Sequence, residues 1–295
     1  MQTIRTFLFA PANHPRRVEK AFLLDADAVI LDLEDACAVS EKEVSRDKVV
    51  EALAKPRKCL GYVRINPLDS HYGFGDILGV VRQGVDGILL PKTESVRDVQ
   101  IADWMIGRLE RERGLKEGSI DLMPLIETGK GLGNLREILG AKTRIRRVAF
   151  GAGDFSLDMN LQWTTDELEL LPYRNEIVML SRWAGLEPPI DTVWINLQDT
   201  EGFAQSAHRA KQLGFQGKLC IYPDQVPVVN EAFTPSEKEV QKAQRLVDAF
   251  EQAEREGSSS FQLDGQFIDY PILYAAQKVL ALHEMIQSKK QTLHK

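Results

Sequence analysis

Eight short runs rich in β-branched and aromatic residues, separated by polar segments of helix length, constrain the fold of this chain more than any other feature. The runs fall at 6–10, 28–33, 61–65, 87–91, 122–126, 147–151, 192–197 and 218–222. Each is continuously apolar instead of alternating, as expected for parallel strands covered on both faces by crossover helices. Eight of them predict an α/β chain that closes into a (β/α)8 TIM barrel, for which 295 residues are ample. An open doubly wound sheet is the competing topology, and the lack of a GxGxxG after the first run counts against it. The approaches Asp25-Ala26-Asp27-Ala28, Gly84-Val85-Asp86-Gly87 and Gly214-Phe215-Gln216-Gly217 look alike but share no fixed period. They mark a recurring αβ unit and not a tandem repeat.

The pattern changes after residue 233, so a barrel is expected over 1–233 and a helix-loop-helix extension over 234–295. Thr234-Pro235-Ser236 followed by Glu239 reads as an N-cap and capping box for a helix running to 256. Gly257-Ser258-Ser259-Ser260 reads as a hinge, Asp264-Gly265 as a turn, and Pro271 as the opening of a last helix that ends near Ser288. Flexible connectors that return polar residues over a site suggest a lid.

A net charge of -6 supplies no basic field for nucleic acid or an anionic membrane. No apolar run approaches the roughly 18 residues of a membrane span, and the N-terminal one is too short for a signal segment, so a cytoplasmic protein is expected. The three cysteines, Cys37, Cys59 and Cys220, form no CxxC pair and read as reduced, buried thiols.

Barrels of this kind place their chemistry at the C-terminal strand ends. Those ends carry Asp32-Leu33-Glu34-Asp35, Arg64-Ile65-Asn66, Pro91-Lys92, Glu127-Thr128 and Gly151-Ala152-Gly153-Asp154. Glu127 and Asp154, on neighbouring strands, would point into one mouth and repel unless a cation lies between them. Magnesium suits such a pair, because it takes one or two protein carboxylates and keeps other positions for water or substrate. A salt network with Arg64, Lys92 or helix N-termini would satisfy the same residues, and spacing alone leaves both readings open. The glycines at 151 and 153 let consecutive amides face a substrate carboxylate, or simply make a tight strand-to-helix turn. Arg64, in an apolar strand, needs a carboxylate such as Glu34 or Asp35, or a developing oxyanion. His14, Arg16, Arg17 and Lys20 gather after the first strand, where they would steer a phosphate or form a solvated helix face. His71 and His208 have no partners at useful spacing, and Ser156 and Ser181 lack a nucleophile-elbow setting.

Taken in order, these strand ends resemble the citrate lyase beta-subunit family, which includes malyl-CoA and citramalyl-CoA lyases. The likeness runs from Phe9-Ala10-Pro11 and the basic segment to Lys20, through Asp32 to Asp35, Arg64 to Asn66, Pro91-Lys92, Ile126 to Thr128 and Gly151 to Asp154. It ends at Gly265-Gln266-Phe267-Ile268-Asp269-Tyr270-Pro271 and so covers nearly the whole chain. The resemblance implies a Mg2+-dependent carbon-carbon lyase that cleaves a 3-hydroxyacyl-CoA thioester to acetyl-CoA and a 2-keto acid, usually as a homotrimer. It implies Glu127 and Asp154 as metal ligands and Arg64 as the holder of the thioester or keto oxygen. Glu34 and Asp35 would orient Arg64 and metal-bound water, and Asp269 would be an acid/base group brought by the extension of a neighbouring subunit. Gly151, Ala152, Gly153, Arg16 and Lys20 are the further substrate contacts expected. A beta subunit acting on an acyl-carrier thioester within a complex is the nearest alternative. A 2-keto-3-deoxy acid aldolase is the other, and the tail at 264–271 argues against it. The chain departs from the family pattern at Phe267, where methionine is usual, and at Tyr222, where Asn or His often precedes the proline.

Overall fold

The computed structural model describes residues 3–293, so residues 1, 2, 294 and 295 at the outer ends of the two expected domains lie outside the described residues. Strands β1 (Thr6–Pro11), β2 (Ala28–Asp32), β3 (Leu60–Arg64), β4 (Gly87–Leu90), β5 (Asp121–Ile126), β6 (Ala149–Phe150), β7 (Ile190–Asp191) and β8 (Gly217–Cys220) pair in parallel in chain order. β8 then pairs with β1 and closes the barrel that the eight apolar runs predict.

Alternation within the strands explains their unbroken hydrophobicity. Phe7, Ile30, Tyr62, Leu89, Met123, Leu125, Ala149, Ile190 and Leu219 fill the barrel interior. Their neighbours Val29, Leu31, Val63, Ile88 and Leu122 face outward, yet they too are fully buried, beneath the helices. A Cβ on Gly87 would lie 2.2 Å from the Tyr62 ring, so this interior has room for the tyrosine only because its neighbour is glycine.

The N-terminal rim is held by paired charges. Arg5 meets Asp27 at 2.9 Å, and Arg57 meets Asp86 at 2.6 Å. Arg147 reaches Asp121 at 2.6 Å and Glu187 at 2.8 Å, while Tyr62 donates to Asp121 at 2.7 Å. Outside β7 and β8 lies a second buried network. Asp191 accepts from Arg174 at 2.8 Å and Lys218 at 2.5 Å; Arg174 also binds Glu167, which accepts from Ser206 at 2.7 Å.

The expected seventh strand at 192–197 is a correction: the strand is Ile190–Asp191 and the segment after it is a loop. Trp194 in this loop is buried and its carbonyl accepts from the Gln225 side chain at 2.9 Å, while Ile195 and Leu197 are exposed. The sixth strand likewise shrinks from 147–151 to Ala149–Phe150, because Arg147 belongs to the charged rim.

The chain divides into two compact units, Ile4–Asn230 and Glu231–Lys295 with the first residues. In the second unit, the helix Glu237–Arg255 starts at the Ser236/Glu239 capping box. The 264–265 turn is more than the loop it reads as, because it joins two antiparallel strands, β9 (Phe261–Leu263) and β10 (Gln266–Ile268). Asp264 at φ 51° and Gly265 at φ 77° supply the left-handed pair that a two-residue hairpin requires. The helix Tyr270–Leu293 follows, and Leu246, Phe250, Ile268 and Leu273 form the core of this unit. Among the described residues no helix is long and apolar enough to cross a membrane. All three cysteines are buried.

Candidate active site

The period of two that fills the barrel carries on to its C-terminal rim. Asp32 follows Ile30, Arg64 follows Tyr62, Glu127 follows Leu125, Gly151 follows Ala149 and Thr192 follows Ile190, so all five face the mouth. Asp32 and Arg64 are also register partners on β2 and β3. The Arg64 guanidinium makes a two-pronged contact with Asp32, Nε to Oδ1 at 2.7 Å and Nη2 to Oδ2 at 2.6 Å. Its Nη1 lies 3.0 Å from Glu34 and 3.4 Å from Asp35, and its face stacks on Phe9 with 4.9 Å to the ring centroid. Burial works against the charge, but Asp32 and then Glu34 and Asp35 outweigh it and hold Arg64 protonated. Asp32 is thus the principal partner of Arg64, ahead of the expected Glu34 and Asp35. The register would have revealed it: Asp32 and Arg64 each extend an inward-facing row.

Lys42 was not legible as a site residue. Its buried ammonium donates to the carbonyls of Leu33 and Glu34 at 3.0 and 2.7 Å and to Asn66 Oδ1 at 2.5 Å, pinning the backbone that carries Glu34. No local pattern announces this, because the acceptors come from two different strand ends.

Glu127 is 2% exposed. Its Oε1 accepts the Lys92 amide at 2.7 Å, from a residue held at φ 46°, and among the described residues no donor meets Oε2. A Cβ on Gly151 would stand 2.8 Å from that Oε2, so glycine is required there to leave room for the carboxylate. Asp154 is half-buried, in the first turn of the helix Ala152–Asp158, and among the described residues its side chain has no hydrogen-bond or ion-pair partner. Burial raises the Glu127 carboxyl from 4.5 to about 8, with Glu34 and Asp154 adding to the rise. Burial likewise raises Glu34 from 4.5 to about 7 against the pull of Arg64, with Asp35 and Asp32 contributing. Lys92 is only partly buried; burial would lower its ammonium, but Glu34, Asp154 and Glu127 raise it. This mouth is therefore short of positive charge, and its open oxygens are hard donors of the kind Mg2+ prefers. Among the described residues no group of three or more Asp, Glu, His or Cys could hold a metal. The donor set fits an ion that takes two carboxylates and leaves its other positions to small ligands.

The glycine turn is partly committed. Gly151 N–H donates to the Ile126 carbonyl at 2.9 Å and Ala152 N–H to Thr192 Oγ1 at 2.9 Å, which leaves Gly153 and Asp154 with first-turn amides. Arg16, Arg17 and Lys20 are exposed on the helix Pro15–Phe22, without ion pairs among the described residues, and His14 precedes it as N-cap. Asp269 lies in the second compact unit, where it caps the helix Tyr270–Leu293 by accepting from Ile272 N–H at 3.4 Å. His71 stacks edge-on against Tyr72, and Ser181 donates to the Ile177 carbonyl.

The family model for HpcH/HpaI aldolase/citrate lyase matches residues 5–223. The chain belongs to this family. It is thereby an enzyme of the carbon-carbon lyase class. Among its HpcH/HpaI relatives, citrate lyase subunit beta of Haemophilus influenzae is 37% identical over 282 residues, covering 95% of this chain and 97% of that one. L-malyl-CoA/beta-methylmalyl-CoA lyase of Cereibacter sphaeroides is 31% identical, with 96% of each chain covered. Among solved structures, CitE of Mycobacterium tuberculosis in complex with magnesium, acetoacetate and coenzyme A shares a TM-score of 0.79 at 27% identity, covering 96% of this chain and 98% of that one.

Proposed function

We propose that this HpcH/HpaI family member is a Mg2+-dependent lyase that cleaves a 3-hydroxyacyl-CoA of malyl, citramalyl or citryl type to acetyl-CoA and a 2-keto acid. The observation that carries the reading is the pair Glu127 and Asp154 on adjoining strand ends. Among the described residues neither has an ion-pair partner, and one is buried with its carboxyl pushed to about 8. The magnesium, acetoacetate and coenzyme A bound to the M. tuberculosis relative support the same chemistry.

Held by Glu127 and Asp154, Mg2+ would supply Lewis acidity toward the carboxylate and hydroxyl oxygens of the substrate. The amides of Gly153 and Asp154 orient the substrate carboxylate. Asp269 takes the hydroxyl proton, and the electron pair of the breaking carbon-carbon bond passes to the thioester as an enolate. Arg64, aligned by Asp32, Glu34 and Asp35, faces the enolate oxygen and stabilises its charge. A proton returned from Asp269 to the enolate carbon completes the acetyl thioester. Arg16 and Lys20 attract the phosphates of coenzyme A. The assembly is a homotrimer in which Asp269 serves the mouth of a neighbouring copy. Mixing Asp269→Asn with Glu127→Gln subunits would then restore activity that neither variant has alone.

The direct test is keto-acid release from malyl-CoA, citramalyl-CoA and citryl-CoA, with and without EDTA. Release that EDTA abolishes and Mg2+ restores is expected; turnover indifferent to chelation, or none with any thioester, rejects the reading. Asp269→Asn should slow turnover by at least about a hundredfold, the scale of one general acid/base group. The 37% identity to a citrate lyase subunit beta favours a second reading, in which the thioester is borne by an acyl carrier. Turnover of the carrier-bound form alone would select it.

A further inference from the structure

Among the described residues Asp154 has no ionic partner to hold it, yet a metal ligand must be held in place, so the restraint has to reach it through the backbone of its helix. That helix, Ala152–Asp158, is one residue removed from β6, a strand of only two residues, and two hydrogen bonds hold its start. Gly151 N–H is tied to the carbonyl of Ile126, the residue before Glu127. Ala152 N–H is tied at 2.9 Å to Thr192 Oγ1, and both Ala152 and Thr192 are 0% exposed.

Thr192 is itself fixed. It directly follows Asp191, whose carboxylate is clamped by Arg174 through Nε at 2.8 Å and Nη2 at 3.1 Å, and by Lys218 at 2.5 Å. Lys218 also donates to Ser206 at 3.2 Å, Ser206 donates to Glu167, and Glu167 holds Arg174 from its other side at 2.9 and 3.1 Å. Asp191, Arg174, Lys218, Glu167 and Ser206 are all buried. Burial would raise Asp191, but Arg174 and Lys218 hold it below the usual carboxylate range, so the clamp stays charged and closed. None of these five groups faces the mouth. Their effect on it passes through one hydroxyl, because the next residue along, Thr192, turns inward.

We propose that Thr192 is a positioning residue. Its buried hydroxyl, anchored by the Asp191 clamp, sets the first turn of the Asp154 helix and thereby the place of Asp154 opposite Glu127. The inference rests on the proposed metal site but can be judged apart from it. Thr192→Val keeps the shape, removes the acceptor and leaves a buried amide unpaired, whereas Thr192→Ser keeps the hydroxyl.

The test measures Mg2+ affinity by titration calorimetry on both folded variants and solves the crystal structure of Thr192→Val. Expected is about a tenfold or greater loss of Mg2+ affinity in Thr192→Val, the scale of removing a partner behind a ligand, with Thr192→Ser close to the parent. Asp154 should also be displaced in the Thr192→Val crystal. Should the valine variant not fold, Thr192→Ala carries the same comparison. Parent-like Mg2+ affinity in a folded Thr192→Val, or failure of Thr192→Ser to rescue, overturns the assignment. If the parent itself binds no Mg2+, the metal site falls, and the crystal decides the rest: Asp154 unmoved overturns the positioning role, and Asp154 displaced supports it.

Discussion

The two rims of the barrel are built from the same residue types and treat charge in opposite ways. At the N-terminal rim every carboxylate of the set Asp27, Asp86, Asp121 and Glu187 meets an arginine within 3 Å. At the C-terminal rim Asp32, Glu34 and Asp35 share Arg64, Lys92 reaches only Glu34, and among the described residues no ion pair meets Glu127 or Asp154. Breaking a buried pair leaves an uncompensated charge, so losing one partner of a buried pair at the first rim destabilises the fold. An unmatched carboxylate that burial has pushed to about 8 is a standing cost, and it makes sense where a ligand will relieve it.

Changing the mouth should cost activity and spare stability. Glu127→Gln is expected to lose at least about a thousandfold in turnover, since Lewis-acid stabilisation amounts to several kcal/mol at about 1.4 kcal/mol per decade. Its melting temperature should equal or exceed the parent's; a clear drop in calorimetry would break the contrast. At the other rim the effects should reverse. Arg147→Met, which strands Asp121 and Glu187, should cost about 3–5 kcal/mol in urea denaturation while kcat of the folded enzyme is kept.

The pH dependence sharpens the same comparison. Glu34 rises from 4.5 to about 7 and Glu127 from 4.5 to about 8, so between those values the unfolded chain has released protons that the folded chain retains. Stability of the metal-free protein therefore falls as pH climbs through that window, and Mg2+ should flatten the slope while displacing protons. Calorimetric scans across the window, with and without Mg2+, check this; a metal-free melting temperature that rises with pH would refute it. The smallest effect should come from Asp86→Asn. That pair is partly open, with Asp86 36% exposed, so about 1 kcal/mol or less is expected by urea titration.

Sequence alone determined the barrel, because a strand buried on both faces must be apolar throughout and that pattern is local. It also determined which strand ends carry acids, since strand ends are read in order along the chain, and the Ser236/Glu239 capping box, which spans only four residues. The tertiary structure alone decided where those groups meet. The two-pronged Asp32 and Arg64 contact, the Lys42 ammonium beneath Glu34, the room that Gly151 leaves for Glu127 and the Thr192 bond to Ala152 each join residues 24 or more positions apart, or segments of different strand ends. The loop at 192–197 shows the same limit from the other side. Its residues favour a strand, but the Gln225 side chain, 31 positions away, takes the Trp194 carbonyl that a strand would have paired. Local preference is short-ranged, whereas the hydrogen bonds and ion pairs that aim these side chains exist only once closure of the barrel has brought distant segments together.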